Sequence, residues 1–275
     1  MKVLVTGSNG YIGRNVVKEL LALGHTVIAT DISDGIFSDN VKFVCKDIFA
    51  ECETLFEELY QPDVLIHLAW RDGFLHNSEA HLKYLYDHYK FLISMVNKGV
   101  KQVVVMGSMH EVGYFEGAID ENTPTNPKSL YGIAKNSLRQ TLEVALKDRN
   151  VIFQWIRGFY IYGDDLKSNS IFGKILLADS QGKKTFPFTS GKNKYDFITC
   201  EELGFQIAKV ASQTEIDGII NCCSGKPVSL ADQVENFIKN NNLLIKLEYG
   251  AFPDRLYDSP AIWGNSDKIE EILKK

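Results

Sequence analysis

The sequence predicts an α/β fold built on a doubly wound parallel sheet, and three observations support this prediction. Apolar runs of strand length alternate with segments of helical apolar spacing along the N-terminal half of the chain. Most of the strand-length runs are continuously apolar, which is typical of strands buried on both faces of a sheet. A glycine-rich turn joins the first run to the first helical segment. Strands that alternate with helices in this way indicate a parallel sheet covered by helices on both sides.

The elements follow one another in a regular order. Strands are predicted at Val3–Thr6, His25–Thr30, Val41–Val44, Val64–Leu68, Gln102–Met106 and Val151–Ile156. Helices are predicted at Ile12–Leu21, Asn77–Lys98, Ser129–Lys147, Ile171–Ser180 and Glu201–Ala211. An irregular tail is expected after the last helix. We therefore expect a sheet domain over residues 1–163, to which the chain returns around 192–224, and a smaller C-terminal lobe over 164–275.

Composition and charge exclude several functional classes. A chain of 275 residues can bury a sizeable core without disulfides or metals. A formal net charge of −5, with no run of Lys and Arg, argues against a nucleic-acid partner. Because the sequence shows neither a charged leader nor an apolar stretch of about eighteen residues, we expect a cytoplasmic protein with no membrane partner.

The cysteines point neither to disulfides nor to a metal centre. Their number is odd and their spacing matches no paired metal-ligand pattern. The positions are Cys45, Cys52, Cys200, Cys222 and Cys223. We expect buried, reduced thiols and no metal site.

The glycine-rich turn has the spacing of a dinucleotide-binding loop. Glycines there permit a tight turn and let the backbone approach a pyrophosphate. The N-terminus of the following helix adds unpaired N–H donors and a partial positive charge. The predicted cofactor contacts in this loop are Gly7, Asn9, Gly10, Tyr11, Ile12 and Gly13.

Asp31 ends the second predicted strand, eighteen residues after Gly13, about where a carboxylate binds the ribose hydroxyls of an adenosine. An aspartate that merely starts a surface turn is the alternative. Asp31 would repel the 2′-phosphate of NADP, whereas Arg14 after the loop would offset part of that repulsion. The sequence therefore favours NAD, with NADP as the alternative cofactor.

Tyr131 and Lys135 lie four residues apart on a predicted helix and therefore share one of its faces. An ammonium beside a phenol favours the tyrosinate and lowers the pKa of the tyrosine. The phenol can then exchange a proton near neutral pH while a hydride moves to or from a nicotinamide. Ser108, at the end of the preceding strand, is placed to hydrogen-bond the reacting oxygen.

A second pair with the same spacing, Tyr86 and Lys90, serves as an internal control. This pair precedes the strand that ends near Ser108, and Asp63 rather than a hydroxyl residue lies 23 positions before Tyr86. We interpret Tyr86 and Lys90 as an ordinary helix surface.

Together these motifs resemble the extended short-chain dehydrogenase/reductase family, in its branch of nucleotide-sugar epimerases, dehydratases and reductases. The resemblance spans nearly the whole chain and implies a Rossmann-type domain followed by a smaller substrate-binding lobe. It also implies that Asp47 and Ile48 contact the adenine side of the cofactor. Leu68, Ala69 and Trp70 would form the cofactor edge of the fourth strand.

The resemblance implies a homodimer, because family members usually associate through two helices per subunit, here Asn77–Lys98 and Ser129–Lys147. It also places Tyr160 in a segment where cofactor and sugar sites meet. Family members often have Asn at the position of Tyr160 and Arg at that of Tyr195, so their sugar and phosphate contacts do not transfer directly.

His110, two residues after Ser108, occupies a position that often decides the chemistry within the family. The 4,6-dehydratases of the family typically carry an Asp-Glu pair after the hydroxyl residue, and Met109-His110 replaces it here. A histidine with an ordinary pKa near 6.5 could protonate, orient or enolise a keto-sugar. A histidine that only packs or caps at the strand end is the alternative.

The block from Met106 to Tyr114 most resembles reductases that act at C4 of nucleotide-linked 4-keto-6-deoxyhexoses. This implies hydride transfer to C4, with Tyr131 as the proton donor, on a dTDP-type nucleotide sugar. The same residues would also serve a nucleotide-sugar 4-epimerase that retains its NAD. A non-catalytic, nucleotide-sensing regulator on the same fold is a more remote alternative.

Two segments of the C-terminal half offer further substrate contacts. Arg255, close to Tyr257, carries a planar fork of donors that suits a diphosphate, although a solvent-facing arginine is the alternative. Phe186 could form a wall of the base pocket or simply pack within the lobe.

Overall fold

The structure, a computed structural model, describes residues 1–163, 170–254 and 258–275 and contains the predicted alternation of strands and helices. The strands are β1 (Lys2–Thr6), β2 (Thr26–Asp31), β3 (Val41–Cys45), β4 (Val64–His67), β5 (Gln102–Met106), β6 (Gly117–Ile119), β7 (Ile152–Gly158), β8 (Tyr160–Tyr162), β9 (Thr185–Pro187), β10 (Lys194–Thr199), β11 (Gly218–Cys222), β12 (Pro227–Ser229), β13 (Lys246–Glu248) and β14 (Ala261–Gly264). The helices are α1 (Gly13–Ala22), α2 (Leu55–Glu58), α3 (Ala80–Lys83), α4 (Leu85–Lys98), α5 (Leu130–Leu146), α6 (Ile171–Ser180), α7 (Cys200–Ala211), α8 (Leu230–Asn240) and α9 (Asp267–Leu273).

The central sheet has seven strands in the order β11-β7-β5-β4-β1-β2-β3. All of its neighbouring strands are parallel. Because β2 and β4 lie on opposite sides of β1, the order in which successive strands are added to the sheet reverses at this point. Open α/β sheets bind ligands at such a switch point, outside the carboxyl ends of the strands. The predicted Rossmann-type, doubly wound parallel sheet is confirmed.

The strands are continuously apolar because both faces of the sheet are covered. Val3, Leu4 and Val5 of β1 are all 0% exposed. Val3 and Val5 belong to the same core cluster as Leu20 of α1. Leu4 belongs to the opposite cluster, together with Leu138 of α5. Helices thus cover both faces of the sheet. Because β1, β4 and β5 are parallel, their carboxyl ends lie at the same edge.

A second sheet of five short strands lies beyond the central one, in the order β12-β10-β14-β6 with β8 paired to β10. The strands β9 and β13 form a separate parallel pair. The expectation of an irregular tail is therefore wrong. Ser229 caps α8 by accepting the Asp232 N–H at 3.0 Å, and Val234 and Phe237 bury its inner face. Four of the five strands of the second sheet have only three or four residues, which is too short to show a period in the sequence, whereas β10 has six.

Two other expectations need correction. The single helix predicted over Asn77–Lys98 is two helices, because the backbone of Tyr84 (φ −95°, ψ 2°) leaves the helical region between α3 and α4. The cysteines are not all buried: Cys45 is exposed and Cys52 is partly buried. Cys45 ends the edge strand β3, where the sheet offers cover on only one side.

Asp196 of β10 ties the second sheet to the segment that follows β11. Its side chain is fully buried. One carboxylate oxygen accepts the Ser224 N–H at 2.8 Å and the Ser224 hydroxyl at 2.7 Å. The other accepts the N–H groups of Gly225 at 2.9 Å and Gly264 at 3.1 Å. Four donors thus satisfy a buried carboxylate, and each would lose its partner if the side chain were removed.

We expect Asp196→Ala to lower the free energy of unfolding by about 3 kcal/mol or more, because several buried donors lose their acceptor. Asp232→Ala is the matched control, since Asp232 is exposed and its carboxylate serves only the cap of α8. That control should lose about 1 kcal/mol or less. Urea unfolding of the three proteins measures both values, and equal losses in the two variants would contradict the proposed anchoring.

Candidate active site

The glycine-rich loop closes tightly between β1 and α1. Gly7 has a positive φ of +67°, and a Cβ on it would lie 2.7 Å from the Ala69 backbone nitrogen. A Cβ on Gly13 would lie 2.3 Å from the Gly7 carbonyl oxygen. Within the part of the chain that the structure describes, no side chain caps the first turn of α1, which begins after Ile12. The loop thus brings backbone N–H groups of a helix N-terminus to the carboxyl edge of the sheet, as an anion site requires.

Asn9 and Asp31 form the next part of the predicted cofactor site. The Asp31 carboxylate accepts the Asn9 N–H at 3.0 Å, and the Asn9 side chain donates to the Ser33 carbonyl at 2.8 Å. The Asn9 side-chain oxygen is buried, with no hydrogen-bond partner among the described residues. An unsatisfied acceptor beside a carboxylate fits the hydroxyl groups of an adenosine ribose. The residues present therefore fit a dinucleotide.

The remaining predicted cofactor residues lie along the same edge. Leu68 donates its N–H to the Thr6 carbonyl at 3.2 Å, which continues the pairing of β4 with β1. Asp47 is exposed after β3, whereas the Ile48 side chain belongs to the core and is only 7% exposed. Tyr11 packs against Gly163, where a Cβ would lie 2.4 Å from its hydroxyl oxygen.

Ser108, Tyr131 and Lys135 are brought together by the packing of α5 against the end of β5. The Ser108 hydroxyl hydrogen-bonds the Tyr131 phenol. The Lys135 ammonium donates to the Met106 carbonyl at 2.6 Å. Ser108 begins a 3₁₀ turn over Met109–Glu111 and accepts the His110 N–H at 3.2 Å. One short segment of backbone therefore holds all three side chains.

The pKa of Tyr131 is not lowered by Lys135 as expected. Burial raises the pKa of Tyr131 to about 12, although the hydrogen bond with Ser108 acts in the opposite direction. Burial also lowers the pKa of Lys135 to about 7. The Lys135 nitrogen lies 5.9 Å from the centre of the Tyr131 ring and 3.6 Å from that of Trp70. The ammonium thus lies closer to the indole than to the phenol.

His110 lies beside the tyrosine but does not have an ordinary pKa. Its ring centre is 6.1 Å from that of Tyr131 and 4.5 Å from that of His76. Burial, and secondly the charge of His76, lower the pKa of His110 to about 4. The expected pKa near 6.5 is therefore wrong, and the imidazole is neutral at pH 7.

Several histidines that the sequence analysis did not single out complete this region. His76 stacks on Tyr131 at 5.4 Å, and its carbonyl accepts the Tyr131 N–H at 2.8 Å. His67 and His88 share a hydrogen bond of 2.8 Å. Burial lowers the pKa of both, that of His67 to about 3. Only their proximity in the fold, not their spacing in the sequence, reveals these residues.

Glu111 is a further residue that the sequence analysis missed. Its fully buried carboxylate accepts the Ser108 N–H at 2.7 Å and the Trp155 indole N–H at 2.9 Å. It also lies 3.5 Å from Arg157 and 3.6 Å from Arg139. Ser108 and Glu111 form a capping box, whose Ser-x-x-Glu spacing is visible in the sequence. That signal could have identified Glu111 as the residue that fixes the backbone of Ser108.

Of the other predicted substrate contacts, Tyr160 lies on β8 and Phe186 on β9. Tyr160 stacks on Tyr195 at 4.2 Å within the second sheet, and burial raises its pKa. Phe186 is partly buried. Arg255 and Tyr257 lie outside the described residues. The control pair behaves as expected for a helix surface, since Tyr86 is 67% exposed and Lys90 contacts Glu51.

Residues 1–163, 170–254 and 258–275 show neither a metal centre nor a membrane-spanning helix. They contain no group of three or more His, Cys, Asp or Glu side chains arranged to hold a metal ion. Nor does any helix within them combine the length and apolar character needed to cross a bilayer.

The dinucleotide loop at the switch point, with a hydroxyl, a phenol and an ammonium beside it, defines a dinucleotide-dependent enzyme of the Rossmann type. Comparison with known proteins gives the family. The model of the NAD dependent epimerase/dehydratase family matches residues 3–223, and the chain belongs to that family. The predicted enzyme class and the predicted cofactor, NAD, are thereby confirmed.

One curated relative is similar along almost its whole length. The dTDP-6-deoxy-L-talose 4-dehydrogenase (NAD(+)) of Aggregatibacter actinomycetemcomitans is 48% identical over 270 residues, which cover 96% of this chain and 99% of that protein. The UDP-glucose 4-epimerase of Lactobacillus helveticus is 25% identical over 307 residues, covering 99% and 91% of the two chains.

Solved structures share the fold at lower identity. A UDP-N-acetylglucosamine 4-epimerase from Methanobrevibacter ruminantium M1 is 21% identical, with a TM-score of 0.85 over 100% of this chain and 92% of that one. A dTDP-glucose 4,6-dehydratase from Streptomyces venezuelae is 20% identical, with a TM-score of 0.81 over 98% and 90%.

The buried neutral histidines predict an acid-sensitive protein. Unfolded histidine takes up a proton below pH 6.5, whereas His110 in the folded protein stays neutral until about pH 4. The stability that this histidine contributes is thus complete above pH 6.5 and is lost as the pH falls. His110→Gln should remove about 1.4 kcal/mol per pH unit from the slope of unfolding free energy between about pH 5.5 and 4.5. Chemical unfolding at several pH values measures this slope.

Above about pH 7.5 the stability curves of the wild type and His110→Gln should run parallel, because His110 is neutral in both the folded and the unfolded state. Identical slopes at low pH would contradict the assignment of a depressed pKa to His110.

Proposed function

We propose that the protein is an NAD-linked oxidoreductase that interconverts a dTDP-6-deoxyhexose and its 4-keto form, with dTDP-6-deoxy-L-talose as the alcohol. The observation that carries this proposal is the 48% identity to the talose dehydrogenase, which spans 96% of this chain and 99% of that protein. The family match ends at residue 223. The near-complete likeness therefore extends through the C-terminal part of the chain, where substrate specificity is expected to lie.

We also propose a division of the chain into a cofactor-binding part and a substrate-binding part. Residues 1–163, with the return around 192–224, would bind NAD, and residues 164–275 would mainly bind the nucleotide sugar. In support, β11 (Gly218–Cys222) lies at the edge of the central sheet beside β7.

The described side chains suit proton transfer at a sugar oxygen. When bound, NAD supplies the hydride acceptor or donor for C4. During reduction the Tyr131 phenol would donate its proton to the ketone oxygen and become the tyrosinate, and during oxidation the tyrosinate would accept the proton of the C4 hydroxyl. The Ser108 hydroxyl, which already bonds Tyr131, would orient that oxygen. The Lys135 ammonium would favour the tyrosinate that forms.

His110 supports a hydrogen-bonding role in this scheme. A neutral imidazole carries one donor and one acceptor nitrogen. With a pKa of about 4, His110 does not supply an imidazolium at neutral pH. It is therefore suited to orienting the sugar, and the proton of the redox step is left to Tyr131.

A homodimer is also proposed. The helices α4 and α5 pack against each other and still expose apolar side chains, with Tyr86 67% exposed on α4 and Val144 80% exposed on α5. A partner subunit would cover such side chains.

The function is tested by following absorbance of the reduced cofactor in both directions. Purified protein is mixed with dTDP-6-deoxy-L-talose and NAD⁺ or NADP⁺, and separately with the corresponding 4-keto sugar and NADH or NADPH. We expect NADH to form in the first reaction and to be consumed in the second, with NAD(H) faster than NADP(H). No absorbance change in either direction would overturn the proposal. Conversion of UDP-glucose without added cofactor, by protein that purifies with bound NAD, would instead establish a 4-epimerase.

Tyr131→Phe should lower kcat by about 10²- to 10⁴-fold, because the variant loses the group that transfers the proton. Tyr86→Phe is the matched control: it removes a hydroxyl from the exposed tyrosine of the other Tyr-x-x-x-Lys pair and should leave kcat unchanged. Steady-state kinetics with the talose substrate measures both variants. Comparable activity of the two would exclude Tyr131 as the proton donor.

A further inference from the structure

Lys135 is a buried cation that forms no ion pair with a carboxylate of the described residues. Its side chain is only 2% exposed. None of the ion pairs among the described residues includes Lys135. The Lys135 ammonium donates a hydrogen bond to the Met106 carbonyl at 2.6 Å. A single carbonyl leaves two ammonium hydrogens to be stabilised by other groups.

The face of Trp70 provides the second contact. The Lys135 nitrogen lies 3.6 Å from the centre of the Trp70 ring, well within the distance of about 6 Å at which a cation is attracted to an aromatic face. Tryptophan is the strongest of the aromatic partners, and the attraction grows when the pair is shielded from water.

Trp70 is itself held from two other directions. Its ring stacks on the His88 ring at 4.3 Å with an interplanar angle of 15°. Its indole N–H donates to His81 at 3.1 Å, and the other nitrogen of His81 bonds the Leu75 carbonyl at 3.0 Å. His88 in turn bonds His67 at 2.8 Å. The stack on His88 and the hydrogen bond to His81 thus fix the orientation of the indole that faces Lys135.

We propose that Trp70 is a positioning residue whose ring face holds the Lys135 ammonium in its charged form beside Tyr131. The inference rests on the proposed function only for the reaction in which Lys135 takes part. It assigns to Trp70 a role towards Lys135 in addition to the predicted place at the cofactor edge.

Besides the Met106 carbonyl, the Trp70 ring is the close contact that favours the charged form of Lys135, and the other groups nearby act from a distance or are neutral. Glu111, on the 3₁₀ turn, favours the charged lysine from beyond hydrogen-bonding distance. The histidines on β4 and α4, His67 and His88, are kept neutral by burial, and Tyr131 on α5 is a neutral phenol. His81 on α3, His76 in the preceding loop and His110 contact the Tyr131 ring, and the cations Arg139 and Arg157 lie beside Glu111. Since burial brings the pKa of Lys135 to about 7, a tenfold change in its protonation equilibrium decides its charge at neutral pH.

The test is a ¹³C NMR titration of lysine-labelled protein without cofactor or substrate, with the Lys135 signal assigned from Lys135→Met. Trp70→Leu should lower the pKa of Lys135 by about one unit, whereas Trp70→Phe, which keeps a ring, should lower it less. Trp263→Leu, a change to a tryptophan in the second sheet, is the matched control and should leave it unchanged. The pH profile of kcat should shift downwards by the same amount in Trp70→Leu.

A second measurement avoids any change of shape. The chain has three tryptophans, and replacing them with increasingly fluorinated tryptophans weakens the negative face of the ring while preserving its packing. The pKa of Lys135 should fall stepwise along this series. An unchanged pKa in Trp70→Leu, or across the fluorinated series if Trp70→Leu does not fold, would overturn the proposal. Because the titration needs no substrate, its result is independent of whether the proposed reaction is correct.

Discussion

The burial of one ammonium group, that of Lys135, is the constraint on which the arrangement of the site depends. Helix α5 packs against the end of β5, and this packing brings Tyr131 to Ser108 and at the same time removes Lys135 from water. Desolvation of a cation opposes folding, so the surroundings must offset it with a carbonyl and an aromatic face. Natural enzymes commonly accept such a cost where the chemistry needs the group.

The cost of burying charge also explains why many of the polar side chains around Lys135 and Tyr131 are histidines. Neutral imidazoles offer donors and acceptors without adding charge. The pKa values of His67 and His88 are lowered first by burial and then by the charge of Lys135. The coupling is reciprocal, because protonating either histidine would make the Lys135 cation less stable. Because His67 and His88 stay neutral, they do not repel the Lys135 cation beside them.

Sequence reasoning succeeded where a local pattern reflects a local cause. Continuous apolar runs identified the buried strands, and the predicted bounds of Ile171–Ser180 agree with α6. It failed where the cause lies in the tertiary structure: Tyr84 interrupts one predicted helix, and the short strands of the second sheet carry no period. The contact of Trp70 with Lys135 joins residues far apart in sequence, and the depressed pKa of His110 depends on burial. Neither could be inferred from spacing. Glu111 is an intermediate case, since its capping spacing was visible but its two arginine neighbours were not.

Behind Ser108, charge is buried by a different means. The Glu111 carboxylate is buried beside two arginines. It accepts hydrogen bonds from Ser108 and Trp155. Arg157 also donates to the Asp120 carbonyl at 2.7 Å, which links the ion cluster to the end of β6. Buried clusters of this kind contribute little net stability compared with apolar packing, but removing one member leaves the others uncompensated. The backbone of Ser108 is therefore fixed by an ion cluster whose members cannot move independently of one another. Among the described residues Lys135 contacts the Met106 carbonyl and the Trp70 ring but forms no ion pair, and its pKa of about 7 makes its charge sensitive to pH near neutrality.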